Sequence, residues 1–160
     1  MAKTLVAYFS ASGTTAKVAK DLAAATAADL FQIAPVEPYS AADLNWQDKK
    51  SRTTIEMNDE SCRPAIADEV VGMSAYDTVF VGFPVWWYVE PRIIDTFLEG
   101  YDFAGKTVVP FATSGGSGLG KAPKRMQALA PGAKVLSGGL LNGRPSQAEL
   151  AAWAEKALEA

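Results

Sequence analysis

Residues with hydroxyl side chains follow the first apolar run of this 160-residue chain and could bind an anion. The segment is Ser10, Ala11, Ser12, Gly13, Thr14 and Thr15. If a helix starts here, its first backbone N–H groups have no partner within the helix, and together with the helix dipole they favour a negative charge. The hydroxyls would add neutral donors for a phosphate, because no lysine or arginine occupies residues 10–16. An ordinary capped helix with Ser12 as the N-cap is the alternative.

A second segment places three aromatic rings in a row at the end of another apolar run. Its residues are Pro84, Val85, Trp86, Trp87, Tyr88 and Val89. Packing in the core and contact with another protein are both open interpretations, and one of the two tryptophans is expected to pack inward.

A third segment is rich in glycine and also follows an apolar run. It consists of Thr113, Ser114, Gly115, Gly116, Ser117 and Gly118. With Gly120 and Lys121 it approaches the GxxxxGK nucleotide-binding pattern, but Ala122 stands where a hydroxyl should bind Mg²⁺. The glycines are better explained by a backbone that approaches a flat ligand closely, and a flexible turn is the alternative.

Composition excludes several kinds of chemistry. The chain has no histidine and one cysteine, Cys62, which excludes Ser-His-Asp and Cys-His catalysis, cysteine-rich zinc sites and an internal disulfide. The net charge of -3 argues against nucleic-acid binding. The first apolar run is too short for a signal peptide, and no run approaches the length of a membrane span, so we expect a cytoplasmic protein that is not bound to a membrane.

The elements that must position these segments alternate between strand and helix. Strands are predicted at 4–9, 30–36, 77–83, 106–112 and 134–141. Helices are predicted at 14–28, 41–57, 91–99 and 120–130, and a last one begins at a capping box formed by Ser146 and Glu149.

This alternation predicts an α/β fold with a doubly wound, five-stranded parallel sheet in a single domain of residues 1–160. The three unusual segments follow strands 1, 3 and 4. Only the strand order 2-1-3-4-5 makes these strands neighbours, and ligands of such sheets bind at the carboxyl ends of the strands.

These segments together resemble the flavodoxin family, and in particular a bacterial branch with a Pro-x-Trp-Trp loop. The resemblance rests on Ser10-x-Ser-Gly-Thr-Thr, on Phe83-Pro-Val-Trp-Trp and on Thr113-Ser-Gly-Gly-Ser-Gly. Asn58-Asp59, Arg63-Pro64-x-Ile66 and the strand beginning at Asp77 also fit. The resemblance implies a three-layer flavodoxin-like sandwich that binds one FMN. Residues 10–15 would hold the phosphate, and residues 84–89 and 113–118 would flank the isoalloxazine ring.

Tyr88 departs from the branch, which often has glycine after the tryptophan pair. In flavodoxins a peptide of this loop reorients when the flavin takes up one electron, and a tyrosine with positive φ would make that movement costly.

The resemblance implies an electron carrier that works with a reductase and an acceptor protein. Because the aromatic loop contains no cation, we expect a low reduction potential. The rival functions are an FMN-dependent NAD(P)H quinone or nitro-compound reductase and a binding module without flavin. A response-regulator receiver is excluded, because strand 1 does not end in an acidic cluster.

Overall fold

The computed structural model describes residues 3–11, 13–113, 118–143 and 145–159. Within these residues, one sheet contains the strands β1 Lys3–Tyr8, β2 Asp29–Gln32, β3 Tyr76–Pro84, β4 Thr107–Thr113, β5 Lys134–Val135 and β6 Gly139–Leu140. The helices are α1 Thr14–Thr26, α2 Arg52–Met57, α3 Arg92–Glu99, α4 Ala122–Leu129 and α5 Gln147–Leu158, with a 3₁₀ turn at Met73–Ala75.

The strand order is β2-β1-β3-β4-β5, and β6 also pairs with β4. All of these pairs are parallel, which confirms the predicted sheet and its order. Tyr8 lies opposite Gly82, and Pro84 lies opposite Thr113. The carboxyl ends of β1, β3 and β4 are therefore neighbours at one edge of the sheet.

Helices cover both faces of the sheet. Leu5 and Ala7 of β1 pack on the side of α3 and α4, whereas Val6 and Tyr8 pack on the side of α1 and α5. This alternation with a period of two explains why β1 is apolar at successive positions: a parallel strand buries side chains on both faces. The apolar face predicted for α3 is confirmed, since Ile93, Ile94, Phe97 and Leu98 are buried.

The long helix predicted at 41–57 is wrong, because only Arg52–Met57 is helical. The preceding residues form turns in which side chains bind the backbone. Ser40 Oγ accepts from the N–H of Asp43, and the carboxylate of Asp43 accepts from the N–H of Ser40. Asn45 and Asp48 accept from the N–H groups two residues further on. Such local bonds compete with the hydrogen bonds of a helix.

The single last strand predicted at 134–141 is also wrong, because it is two short strands. The carbonyls of Val108 and Ala112 in β4 accept from the N–H groups of Leu136 and Leu141. Every second residue of β4 therefore directs its backbone N–H and carbonyl toward β5 and β6. Pro110 lies between Val108 and Ala112 and has no N–H to donate, which interrupts the pairing. Gly138 approaches Pro110 closely: it has φ +65°, and a Cβ added there would lie 1.8 Å from the Pro110 carbonyl oxygen.

The remaining differences lie at element ends. The second strand is the shorter Asp29–Gln32, and the chain continues to an isolated bridge between Pro35 and Ile66. The capping box of Ser146 and Glu149 is confirmed at the start of α5. Within the described residues, no helix has the length and apolar character that crossing a membrane requires.

Candidate functional site

The hydroxyl segment turns sharply between β1 and α1. Ser10 Oγ accepts a hydrogen bond of 3.0 Å from the N–H of Gly13. Gly13 has φ +93° and occupies the N-cap position of α1. The cap is therefore Gly13 rather than Ser12, which itself lies outside the described residues. Glycine suits this position because other residues resist positive φ, and its lack of a side chain leaves the helix N-terminus open to a ligand.

A buried hydroxyl pair joins the first segment to the third. Thr15 Oγ1 lies 2.8 Å from Thr113 Oγ1, and both residues are buried. Thr15 is in the first turn of α1 and Thr113 ends β4. This bond holds the first turn of the helix at a set distance from the start of the glycine-rich segment.

The aromatic segment forms a tight two-residue turn. The N–H of Trp86 donates to the carbonyl of Val89 at 3.0 Å, and the N–H of Val89 donates back to Trp86 at 3.1 Å. The two central residues have positive φ, 51° at Trp87 and 66° at Tyr88. This pattern is that of a type I′ turn, which normally uses asparagine and glycine. Bulky residues there are strained, and such strain clusters at functional sites.

The three rings of this turn take different directions. Trp86 packs inward, and its ring centroid lies 5.5 Å from that of Phe9 and 5.5 Å from that of Tyr39, both edge to face. Trp87 is 40% exposed and Tyr88 is 71% exposed. The turn thus presents two rings to the surface and anchors them through the third.

Tyr39 and Arg52 are site residues that the sequence interpretation missed. The guanidinium carbon of Arg52 lies 3.8 Å from the centroid of the Tyr39 ring, and its Nε donates to Glu56 Oε2 at 2.8 Å. The Tyr39 hydroxyl donates to the same Glu56 side chain. Burial, followed by this hydrogen bond, raises the pKa of Tyr39. The position of Tyr39 in the chain could have indicated this role, because Tyr39 follows β2, whose carboxyl end adjoins that of β1.

Gly120, two residues after the glycine-rich segment, contacts the aromatic turn. Gly120 has φ +57°, and a Cβ added there would lie 2.2 Å from the carbonyl oxygen of Tyr88. Close packing against the turn therefore explains this glycine. Four predicted residues, Ser114, Gly115, Gly116 and Ser117, lie outside the described residues, while Gly118 is exposed.

The sheet thus brings the described residues of all three segments to one edge. A family model of flavodoxins matches residues 3–157. The chain belongs to the flavodoxin family. A search of curated proteins found no match to this chain.

Solved structures agree with the family. A protein from Bacteroides eggerthii assigned as a flavoprotein is 48% identical, with a TM-score of 0.91 over 99% of both chains. A similarly assigned protein from Bacteroides uniformis is 49% identical, with a TM-score of 0.91 over 96% of this chain and 98% of that chain. A flavoprotein from Lactobacillus acidophilus in complex with FMN shares the fold at 22% identity, with a TM-score of 0.67 over 96% and 99% of the two chains.

Proposed function

We propose that this protein binds one FMN without a covalent bond and carries electrons at low potential between a reductase and an acceptor protein. The observation that carries the proposal is the assembly, at one sheet edge, of a helix N-terminus lined with hydroxyls and a strained aromatic turn. FMN matches both parts, because it joins a phosphate to a flat ring system. When bound, FMN supplies the reversible uptake and release of electrons.

The first segment suits the phosphate. The first N–H groups of an α-helix have no acceptor within the helix itself, and Thr14 at the start of α1 is exposed. Lys17, one turn further, lines an open groove together with Thr14. Ser10, Gly13, Thr14 and Thr15 would hold the phosphate, mainly through neutral donors, with Ala11 and Ser12 as the remaining members of the segment.

The second and third segments suit the ring. Pro84 and Val85 lead from β3 into the turn, where Trp87 and Tyr88 present aromatic surface. Thr113 ends the neighbouring strand β4, and residues 113–118 would approach the other side of the ring system. The Gly120 contact keeps these two segments together.

The composition of the turn itself supports a low potential. Reduction can place a negative charge on the ring, and residues 84–89 contain no cation that would stabilise it. Arg52 is near the turn, but Glu56 pairs with its guanidinium at 2.8 Å. Every ~1.4 kcal/mol by which the site disfavours that charge lowers a one-electron potential by about 59 mV.

One observation favours a second candidate, an FMN-dependent NAD(P)H quinone or nitro-compound reductase. The exposed rings of Trp87 and Tyr88 could stack on a flat substrate as well as on a partner protein.

Reconstitution with FMN followed by anaerobic reductive titration tests the proposal. We expect a bound flavin spectrum and a potential more negative than that of free FMN. Full reduction should need a reductase, whereas rapid bleaching by NAD(P)H alone would favour the second candidate. A protein that takes up no FMN, or a potential no more negative than that of free FMN, would contradict the proposal.

A matched pair of variants tests the phosphate site. Thr14→Val should weaken FMN binding about ten- to a hundredfold, the range expected for one hydrogen bond to a charged group. It should leave riboflavin binding unchanged, because riboflavin has no phosphate. Thr26→Val is the control, since the Thr26 hydroxyl lies at the other end of α1 and donates to Leu22. Equal effects of Thr14→Val on both ligands would exclude this role.

A further inference from the structure

A cluster of charged side chains lies beside the aromatic turn, between α3 and α4. Glu90 directly follows Val89, the last residue of the turn, and both Glu90 and Asp95 are 0% exposed. The members of this carboxyl–arginine cluster are Glu60, Arg63, Glu90, Arg92, Asp95, Glu99 and Arg125. Buried carboxyl groups are costly unless each finds partners, so the contacts of each oxygen matter.

Arginines contact one oxygen of each buried carboxyl group. Arg125 Nε donates to Glu90 Oε1 at 2.9 Å, and its Nη2 donates to Asp95 Oδ2 at 3.4 Å. Arg92 Nη1 and Arg63 Nη1 lie 3.7 and 3.9 Å from the same Oδ2 of Asp95. The arginines therefore leave the second oxygen of each group uncontacted.

A shared proton accounts for those second oxygens. Among the described residues, Glu90 Oε2 and Asp95 Oδ1 are buried and have no donor. Burial, and then a hydrogen bond to Asp95, raises the pKa of Glu90 to about 8. Burial also raises the pKa of Asp95, although the bond from Glu90 and the arginines oppose this. With this raised pKa, a proton on Glu90 near neutral pH would let Glu90 donate to Asp95, and both oxygens would then be paired.

This pair is connected to both flavin segments. On one side Glu90 directly follows the aromatic turn; on the other side Arg125 belongs to α4, which follows Gly120. Gly120 in turn contacts the Tyr88 carbonyl oxygen. The hydrogen bond from Arg125 to Glu90 thus connects α4 back to the strained turn.

We propose that Glu90 is a positioning residue for FMN: it shares a proton with Asp95, accepts from Arg125, and so fixes the aromatic turn against the segment that follows the glycine-rich loop. Loss of the proton leaves two carboxylates facing each other and a new negative charge next to the turn, which releases the turn and weakens FMN binding. The proposal rests on FMN as the proposed cofactor and adds a pH-dependent control of its site.

The experiment measures the dissociation constant of FMN between pH 7 and pH 9. This window lies above the second pKa of a phosphate monoester, about 6. With a pKa of about 8 for Glu90, the dissociation constant of the wild type should rise by up to about tenfold across it. Glu90→Gln should show no such rise, because its amide donates to Asp95 at every pH in this window.

Glu60→Gln is the matched control. Glu60 contacts the same arginine, with its Oε1 3.3 Å from Arg125 Nη1, but its side chain is 80% exposed. This variant should follow the pH dependence of the wild type. A wild type without pH dependence, or a Glu90→Gln variant that keeps it, would overturn the proposal. If Glu90→Gln does not fold, Asp95→Asn supplies the donor from the other side and should likewise abolish the rise.

A measurement without FMN separates this proposal from the proposed function. The carboxyl of Glu90 has an ordinary pKa of 4.5 and a raised one of about 8 in the folded protein, so the folded state holds the proton more tightly. The proton on Glu90 therefore contributes to the stability of the folded protein: this contribution is complete below pH 4.5 and is lost as the pH rises through about 8. The melting temperature of the wild type should therefore fall relative to that of Glu90→Gln from pH 5 to pH 8. Parallel curves would overturn the shared proton even if the protein binds no FMN.

Discussion

Replacing Tyr88 by glycine should stabilise the protein in the absence of FMN. Tyr88 has φ +66°, and a residue with a Cβ pays about 1–2 kcal/mol in the left-handed region. Glycine avoids that cost, but the greater conformational freedom of glycine in the unfolded chain lowers the stability of the folded protein by about 0.5–1 kcal/mol. The lost ring matters little, because it is 71% exposed. The free energy of unfolding should therefore increase by about 0.5–1 kcal/mol.

Urea and thermal unfolding of the protein without FMN measure this gain. For a chain of this size, the melting temperature should rise by about 1–4 °C. Tyr88→Ala is the control, because it removes the same ring but keeps the Cβ that causes the strain. We expect its stability to lie within about 0.5 kcal/mol of the wild type. If Tyr88→Gly is no more stable than Tyr88→Ala, the turn is not strained at this residue.

The same variant has a redox consequence if the protein binds FMN as proposed. A glycine lets the neighbouring peptide reorient at little cost, as the family resemblance implies for the loop of flavodoxins. The two one-electron potentials of the bound flavin should therefore move apart in Tyr88→Gly and stay unchanged in Tyr88→Ala. A spectroelectrochemical titration measures both potentials.

Three further predictions follow from single contacts. Gly120→Ala should weaken FMN binding and destabilise the protein, because its Cβ would lie 2.2 Å from the carbonyl oxygen of Tyr88. Gly105→Ala is the control: Gly105 also has positive φ, but no atom lies within 4 Å of an added Cβ, so this variant measures the cost of positive φ alone. Thr113→Val should cost about 1–3 kcal/mol in urea unfolding by leaving the buried Thr15 hydroxyl unpaired, and adding Thr15→Val should recover part of that loss; a larger loss in the double variant would contradict the pairing. Hydrogen bonds from Ser146 lower the pKa of Glu149, so its contribution to stability is present above the ordinary pKa of 4.5 and is lost as the pH falls through the lowered value. Thermal unfolding between pH 6 and pH 3 should show a smaller decrease for Glu149→Gln, and an equal decrease would exclude a role of the charge.

Much of the fold could be predicted from local patterns. Residues 4–9 are apolar at successive positions, which is the mark of a strand covered on both faces, and the spacing of Ile93, Ile94 and Phe97 defined the buried face of α3. The failures came from interactions that periodicity does not report. Side-chain bonds from Ser40 and Asp43 replaced helix with turns, and the missing N–H of Pro110 divided the last strand.

The sequence by itself determined which chemistry was available and which strand ends carried it. Gly13 beside hydroxyls, and three rings after β3, were visible because turn conformation and side-chain type are local properties. The tertiary structure alone decided which ring packs inward, that Tyr39 meets Trp86, and that Glu90 is buried against Asp95. Those outcomes depend on contacts between segments far apart in the chain. Burial then sets the pKa of the Glu90 carboxyl, because removal from water penalises charge wherever the fold places it.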